Sequence, residues 1–342
     1  MDRITNKALA TACGVSVSTV DRIMTGRVRV KRTTAEQVLE VAEEIGFHGV
    51  GVIRSRLRTD APPCRIGLLL NASTRRTFLE MAERAEHAAR ARHDIRAQVI
   101  THHLPRPEPA ATVAALHEMA TRCDVIACHC IDHPQVHEMV QALAEKGIPV
   151  LPVISGLRAS ASTGLVGCTE VALGRTAAWF MARFAGTEGH IGLVNGGALF
   201  RNQWAEEAGF RSYLKEKQSR LSVLPAVSSD ECDTGAARAV NTLLGQAGRS
   251  LRGIFVIGGG LEGAVDALQD ARRSDFFVVG NELTEATRAL LKSGRVHVIL
   301  EHPGLGIMER AIAAIADWTR GSPEALTTKQ ELPFKVLLSE NS

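Results

Sequence analysis

From Arg65 to the end of the chain, short apolar runs alternate with helical segments, and no other feature limits the possible folds as strongly. Runs at 65–70, 95–100, 123–128, 148–153, 163–167, 190–195, 221–227, 253–257, 276–280, 296–300 and 332–338 have strand length. The segments between them carry helix punctuation. Pro134 opens one and Gly147 follows it; Thr284 caps another and Gly294 follows it. Regular β–α alternation over this length implies parallel sheets joined by crossovers. The expected body, 64–342, is a pair of Rossmann-like α/β lobes. Lobe 1 takes about 64–156 and 286–318; lobe 2 takes about 157–285 and 319–342. The chain is expected to cross between them near 155–160, 282–286 and 320.

The first 48 residues read differently. In TNKALATACGVSVSTVDRIM, residues 5–24, Thr5 can cap a first helix and Gly14 suits a turn that needs positive φ. Ser16 can cap a second helix, Val17 to Met24. Leu9, Ala10, Val15, Val20 and Ile23 fall where two crossed helices bury apolar groups, and Val17, Ser18, Thr19 and Arg22 are left projecting outward. Short polar and methyl groups beside a guanidinium suit the base edges of a DNA major groove. Thr33 with Glu36 and Thr34 with Gln37 form overlapping capping boxes for a third helix, whose Val38, Val41, Ala42 and Ile45 would cover the first two. Residues 1–58 carry ten Lys/Arg against six Asp/Glu, while the whole chain is only +3, so the positive charge is concentrated around this motif. Arg27, Arg29, Lys31 and Arg32 make a basic loop suited to phosphates.

A helix-turn-helix, a third helix, a basic hinge and a large α/β body, in that order, resemble the lactose-repressor (LacI) family of bacterial transcription regulators. The likeness is sharpest at Gly14-Val15-Ser16-Val17-Ser18-Thr19-Val20 and Arg22. Asp21 is a departure, since many members carry Ser there; it would repel phosphate unless paired with Arg22 or Arg3, and is read as a specificity feature rather than a lost function. The resemblance implies a head at 1–48, a hinge at 49–63 and a body like that of periplasmic binding proteins. It implies a repressor that binds double-stranded operator DNA as a homodimer or tetramer and answers to a small, sugar-like effector. Val52 to Arg58 would then fold on the operator, with Leu57 wedged in the minor groove and Arg54 near the backbone. The expected DNA-contacting set is Thr5, Asn6, Ser16, Val17, Ser18, Thr19, Arg22, Arg27, Arg29, Arg54 and Leu57.

Ligands of open α/β sheets sit beyond the carboxyl ends of the strands. That rule nominates Asn71, Ser73, Phe78, His133, Glu170, Asn195, Arg201, Trp204, Glu206, Leu261, Glu282 and Glu301 as effector-binding residues. Hydroxyl, amide, carboxylate and aromatic groups together suit a sugar or polyol. The family often has Arg where Glu206 stands before Gly209-Phe210, Asp-Asn where Thr169-Glu170 stand, Asn at Leu261, and Gln or Asp at Glu301. These changes make the expected pocket acidic and favourable to an amine-bearing effector.

Two rival signals are weaker. Gly258-Gly259-Gly260-Leu261-Glu262-Gly263 matches the G-x-G-x-x-G turn of NAD-dependent enzymes, with Glu282 about 20 residues on. Glu262 would, however, face the pyrophosphate. Cys128-His129-Cys130 with His133 and His137 has the residue types of a metal cluster, yet buried cysteines also serve as small core groups. No catalytic residue, cofactor or metal is assigned. The seven cysteines show no paired framework, no run reaches a membrane span, and no apolar signal segment opens the chain. A cytoplasmic, nucleoid-associated protein is therefore expected, rather than an exported sugar-binding protein without DNA function.

Overall fold

Four N-terminal helices close around one apolar cluster: α1 (Asn6–Cys13), α2 (Val17–Thr25), α3 (Arg32–Glu44) and α4 (Val50–Thr59). The computed structural model describes residues 4–28, 30–71, 75–157, 164–197, 199–273 and 275–342. Arg29 and Ser73 lie outside the described residues. Thr5 and Ser16 cap α1 and α2 by accepting from the amides of Ala8 and Thr19, and Gly14 takes the left-handed turn at φ 68°. Leu9, Ala10, Val20, Ile23, Val38 and Ala42 are buried together.

Two local expectations need correction. α3 starts at Arg32, with Lys31 at its N-cap and no side-chain cap, so the Thr33 and Thr34 boxes do not form. Their partners are used elsewhere: Glu36 accepts from Arg32 Nε at 2.9 Å, and Gln37 Nε2 donates to Cys13 O at 3.2 Å. The hinge is likewise a formed helix rather than a chain awaiting DNA. Ile53 and Leu57, four apart on one face of α4, enter the head core beside Phe47.

The body comprises β1 (Pro63–Asn71), α5 (Arg76–Ala91), β2 (Arg96–Leu104), α6 (Pro109–Ala120), β3 (Val125–Cys128), α7 (Pro134–Glu145), β4 (Val150–Ile154) and β5 (Leu165–Cys168). Next come α8 (Glu170–Phe184), β6 (Glu188–Asn195), α9 (Arg201–Glu216), β7 (Arg220–Val223), β8 (Val227–Ser228) and α10 (Asp233–Ala247). β9 (Leu251–Val256), α11 (Leu261–Asp270), β10 (Phe277–Gly280), α12 (Glu285–Lys292), β11 (Val298–Glu301), α13 (Gly304–Thr319), β12 (Lys329–Leu332) and β13 (Lys335–Leu337) complete it. The strands form two sheets, ordered β12-β5-β4-β3-β1-β2 and β13-β11-β10-β9-β6-β7, with β8 beside β6. All pairings are parallel except β11 with β13.

The crossovers differ from those expected. β5 stays in the first sheet because Val166 pairs with Val153 of β4, so the chain first crosses at about 169. β11 belongs to the second sheet, since Val298 pairs with Val279 of β10, and α13 then packs on the first lobe, which puts the second crossing near 302. The run at 332–338 is two strands, one in each sheet, so the third crossing lies at 333–334. Strand pairing, which no single run specifies, decides all three.

Candidate functional site

On the head, Val17, Ser18, Arg22 and Arg27 are exposed and Thr19 is half-buried. Ser16 Oγ lies 2.9 Å from both Ser18 Oγ and Thr19 Oγ1, a compact hydroxyl group at the start of α2. Asp21 accepts from Asn6 Nδ2 at 2.8 Å. It therefore ties α2 to α1, and Asn6 acts there as a brace; Arg3 lies outside the described residues. Arg54 is ion-paired to Glu43 at 2.7 Å. Leu57 is only 5 % exposed, and a groove wedge needs an exposed apolar side chain, so the single chain does not present it as one.

Between the lobes lies a cavity of about 380 Å³. Arg75 enters it from the loop before α5 and reaches across to the second lobe. Its Nη1 lies 2.5 Å from Glu231 Oε2 and its Nη2 2.6 Å from Glu282 Oε2. Thr77 donates to Glu282 Oε1 at 2.5 Å. Burial opposes the Arg75 charge, but Glu282 and Glu231 together raise its pKa above the usual value. On one wall the rings of His129 and Phe200 stack at 4.8 Å, with Phe78 5.2 Å from His129. Burial, with help from Arg75 and His302, lowers the His129 pKa to about 3, so the ring is neutral. Gln203 Nε2 donates to Glu231 Oε1 at 2.6 Å, while its Oε1 accepts from Gly196 N.

At the junction of the lobes, Cys168 ends β5 and Glu170 opens α8. Glu206 comes from α9, and His302 follows β11. All but His302 are buried. His302 Nε2 is 3.2 Å from Glu206 Oε1 and 3.6 Å from Glu170 Oε2, and Asn281 Nδ2 donates to Glu206 Oε2. Burial pushes both carboxyls up to about 8 and raises the Cys168 thiol further.

Phe78, Glu206, Glu282 and Glu301 therefore line the cavity, as the strand-end rule expects, and Glu170 lies behind Glu206. The other nominated residues within the described part of the chain lie elsewhere. Asn71 is buried and donates to His129 O. His133 caps α7. Asn195 bonds Glu207 and the Gly197 amide. Leu261 is core in the second lobe. On α9, Gln203 and Glu206 share the inward face, so Trp204, about 100° around the helix, is exposed outside the cavity lining. Arg201 faces a second cavity beside Arg175 and Lys329. Sequence reasoning missed Arg75, His129, Gln203 and Glu231; Arg75 directly follows a nominated loop, but only the opposing carboxylates reveal its role. The acidity is also moderated, because Arg75 offsets Glu231 and Glu282, and Lys335 pairs with Glu301 at 3.2 Å.

The rival signals resolve into local structure. In the glycine turn, Gly259 N donates to Glu231 Oε2 and Gly263 N to Asp233 Oδ1, so carboxylates occupy amides that a pyrophosphate would need. Cys128 and Cys130 are buried, His129 stacks on Phe200, and His137 Nε2 meets Asp132 Oδ1 at 2.7 Å.

Residues 66–321 match the periplasmic binding protein domain, and residues 7–49 match the head of the bacterial regulatory proteins of the lacI family. The chain belongs to the lacI family. It joins the family's helix-turn-helix head to a periplasmic-binding-protein body. Similar solved structures include the XylFII–LytSN complex (22% identity, 82% of this chain and 99% of that chain, TM-score 0.73). An ABC-transporter solute-binding protein from Agrobacterium vitis, bound with α-D-tagatopyranose, is 21% identical over 81% of this chain and 95% of that chain, with TM-score 0.73. One from Burkholderia graminis, in complex with D-arabinose, is 18% identical over 82% and 97%, also at 0.73. At such identities the likeness establishes the fold. Among curated proteins no match is found. No helix among the described residues is long and apolar enough to cross a membrane.

Proposed function

We propose that this lacI-family regulator represses transcription in the cytoplasm as a homodimer or tetramer, each head reading one half of a near-palindromic operator through α2. The presentation of Val17, Ser18 and Arg22 on the outer face of a helix whose inner face is core carries this reading. Arg22→Ala should lower cognate-operator affinity about 10–100-fold, the range of one bidentate base contact. Changes at Ser18 or Thr19 should alter preference among half-sites. Selection from random duplexes at low ionic strength, followed by titration of the winner, tests both; equal affinity of wild type and Arg22→Ala rejects the assignment. Binding should also weaken steeply with salt.

For the effector, we infer a neutral, polyhydroxylated small molecule of the sugar class held between the lobes. Around the cavity, Asn202 Oδ1, Asn281 Oδ1 and His129 Nδ1 are buried without a hydrogen-bond partner among the described residues. Ligand hydroxyls would satisfy them, and Phe78 would face the C–H surface of a ring. The solute-binding proteins of the same fold that hold tagatopyranose or arabinose support this class. Calorimetric titration with neutral aldoses, amines and sugar phosphates is the test. Preference for an amine would reassign the carboxylates as charge partners, and tight binding of a phosphate would overturn the reading.

A further inference from the structure

We propose that Cys168, Glu170, Glu206 and His302 form a binding site for a divalent metal ion of the zinc class at the junction of the lobes. A thiol sulfur, a Glu170 oxygen and a ring nitrogen of His302 all lie within 4.8 Å of one another. His302 Nε2 is 3.2 Å from Glu206 Oε1 and 3.6 Å from Glu170 Oε2. Neighbouring donors in a tetrahedral zinc site are about 3.3–3.7 Å apart, so these separations already approach those of a coordination shell.

The surroundings favour a cation. Glu170 is only 7 % exposed, and its carboxyl faces the Glu206 carboxyl with no well-formed nitrogen or hydroxyl donor on either of its oxygens among the described residues. Two buried carboxyls set against each other are costly to ionise, and a metal ion between them would supply the charge partner that both lack. Asn281 holds the far oxygen of Glu206, which leaves Oε1 turned toward His302, the kind of outer hydrogen bond that orients a ligand. One thiol, one imidazole and two carboxylates select Zn²⁺ or Co²⁺ over Mg²⁺ or Ca²⁺, which prefer all-oxygen shells. Glu206 and His302 face the interlobe cavity, giving an ion a way in.

Cys168 and Glu170 flank the first crossover, and His302 sits on the second. A bound ion would therefore tie two crossing strands together and bias the angle between the lobes, whatever small molecule occupies the cavity. No contiguous motif signals the set, because its members are brought together from 168 to 302 along the chain.

The test uses full-length protein, reduced and stripped with chelator, titrated with metal alone, without DNA or effector. Zn²⁺ competed from a chromophoric chelator should bind at one equivalent per chain, and Co²⁺ should give a thiolate-to-cobalt charge-transfer band. Cys168→Ser should abolish that band and weaken Zn²⁺ at least about tenfold; His302→Gln should weaken Zn²⁺ similarly while keeping the band. Cys232→Ser, at the exposed thiol, should change neither. Absence of stoichiometric uptake by wild type overturns the site, as does an unchanged band in Cys168→Ser. Should Cys168→Ser fail to fold, unchanged Zn²⁺ affinity in His302→Gln has the same force.

Discussion

Single charged side chains hold this molecule together at points that apolar patterning does not reach. Arg75 bridges the lobes through two carboxylates that are themselves mostly buried. Removing one partner of such a group leaves uncompensated charge. Arg75→Ala should destabilise the closed arrangement by about 1–3 kcal/mol, given partial solvent access, and weaken effector binding. Calorimetry on the variant checks this, and unaltered affinity would show that the latch is not needed for closure. Asp94 works at the other end of α5. Burial opposes its charge, yet Arg92 and Arg320 hold its pKa down to about 2. Because the folded value is depressed, its stabilisation is complete above the unfolded value near 4 and is lost as pH falls through about 2. Asp94→Asn should cost about 1–2 kcal/mol at pH 7, with the difference from wild type vanishing towards pH 2 in denaturant titrations.

Pairs of elements meet at positions where a methyl group would not fit. On α8, a Cβ at Gly174 would lie 1.8 Å from Glu206 O; on α9, one at Gly209 would lie 2.3 Å from Val171 O. The two helices thus touch backbone to backbone, which carries Glu206 beside Glu170. Gly174→Ala should push them apart, lowering the thermal midpoint and disturbing the lobe junction more than the head. A thermal scan beside operator titration separates these effects. In the head, α4 is held by Ile53 and Leu57. Ile53→Ala should cost about 2–4 kcal/mol of local stability. Hydrogen exchange should then quicken across α1–α4 while the body's sheets stay protected.

Across the whole molecule, α5 connects the two sites. Arg75 precedes its first turn at the cavity, while Arg58 Nη1 donates to Arg90 O and Arg32 Nη2 to His93 O at its far end, about 24 Å away. Arginines suit the carbonyl end of a helix, where acceptors are free and the dipole is negative. A change in lobe angle that moves α5 would therefore reach the head through these bonds. Coupling of this kind is reciprocal: the factor by which effector changes operator affinity must equal the factor by which operator changes effector affinity. Measuring both dissociation constants with and without the other ligand checks it, and an effect on neither would remove the proposed switch.

Features set within about ten residues were legible before any fold was known. Caps at Thr5 and Ser16, the turn at Gly14, the helix-period burial of Leu9, Val20 and Ile23, and the strand–helix alternation all depend on local hydrogen bonding and periodicity. The strand-end rule likewise placed Phe78, Glu206, Glu282 and Glu301 at the interlobe cavity, because strand ends converge on a cleft in any such sheet. Tertiary structure alone decided which loop residues turn inward, as Gln203 does and Trp204 does not, since that depends on the rotational setting of α9 against α8. It also decided where the chain crosses between lobes, because parallel strands choose partners distant in sequence. Arg75 between Glu231 and Glu282, Leu57 inside the head, and the four donors at the lobe junction belong to the same class: each needs surfaces whose meeting no local pattern encodes.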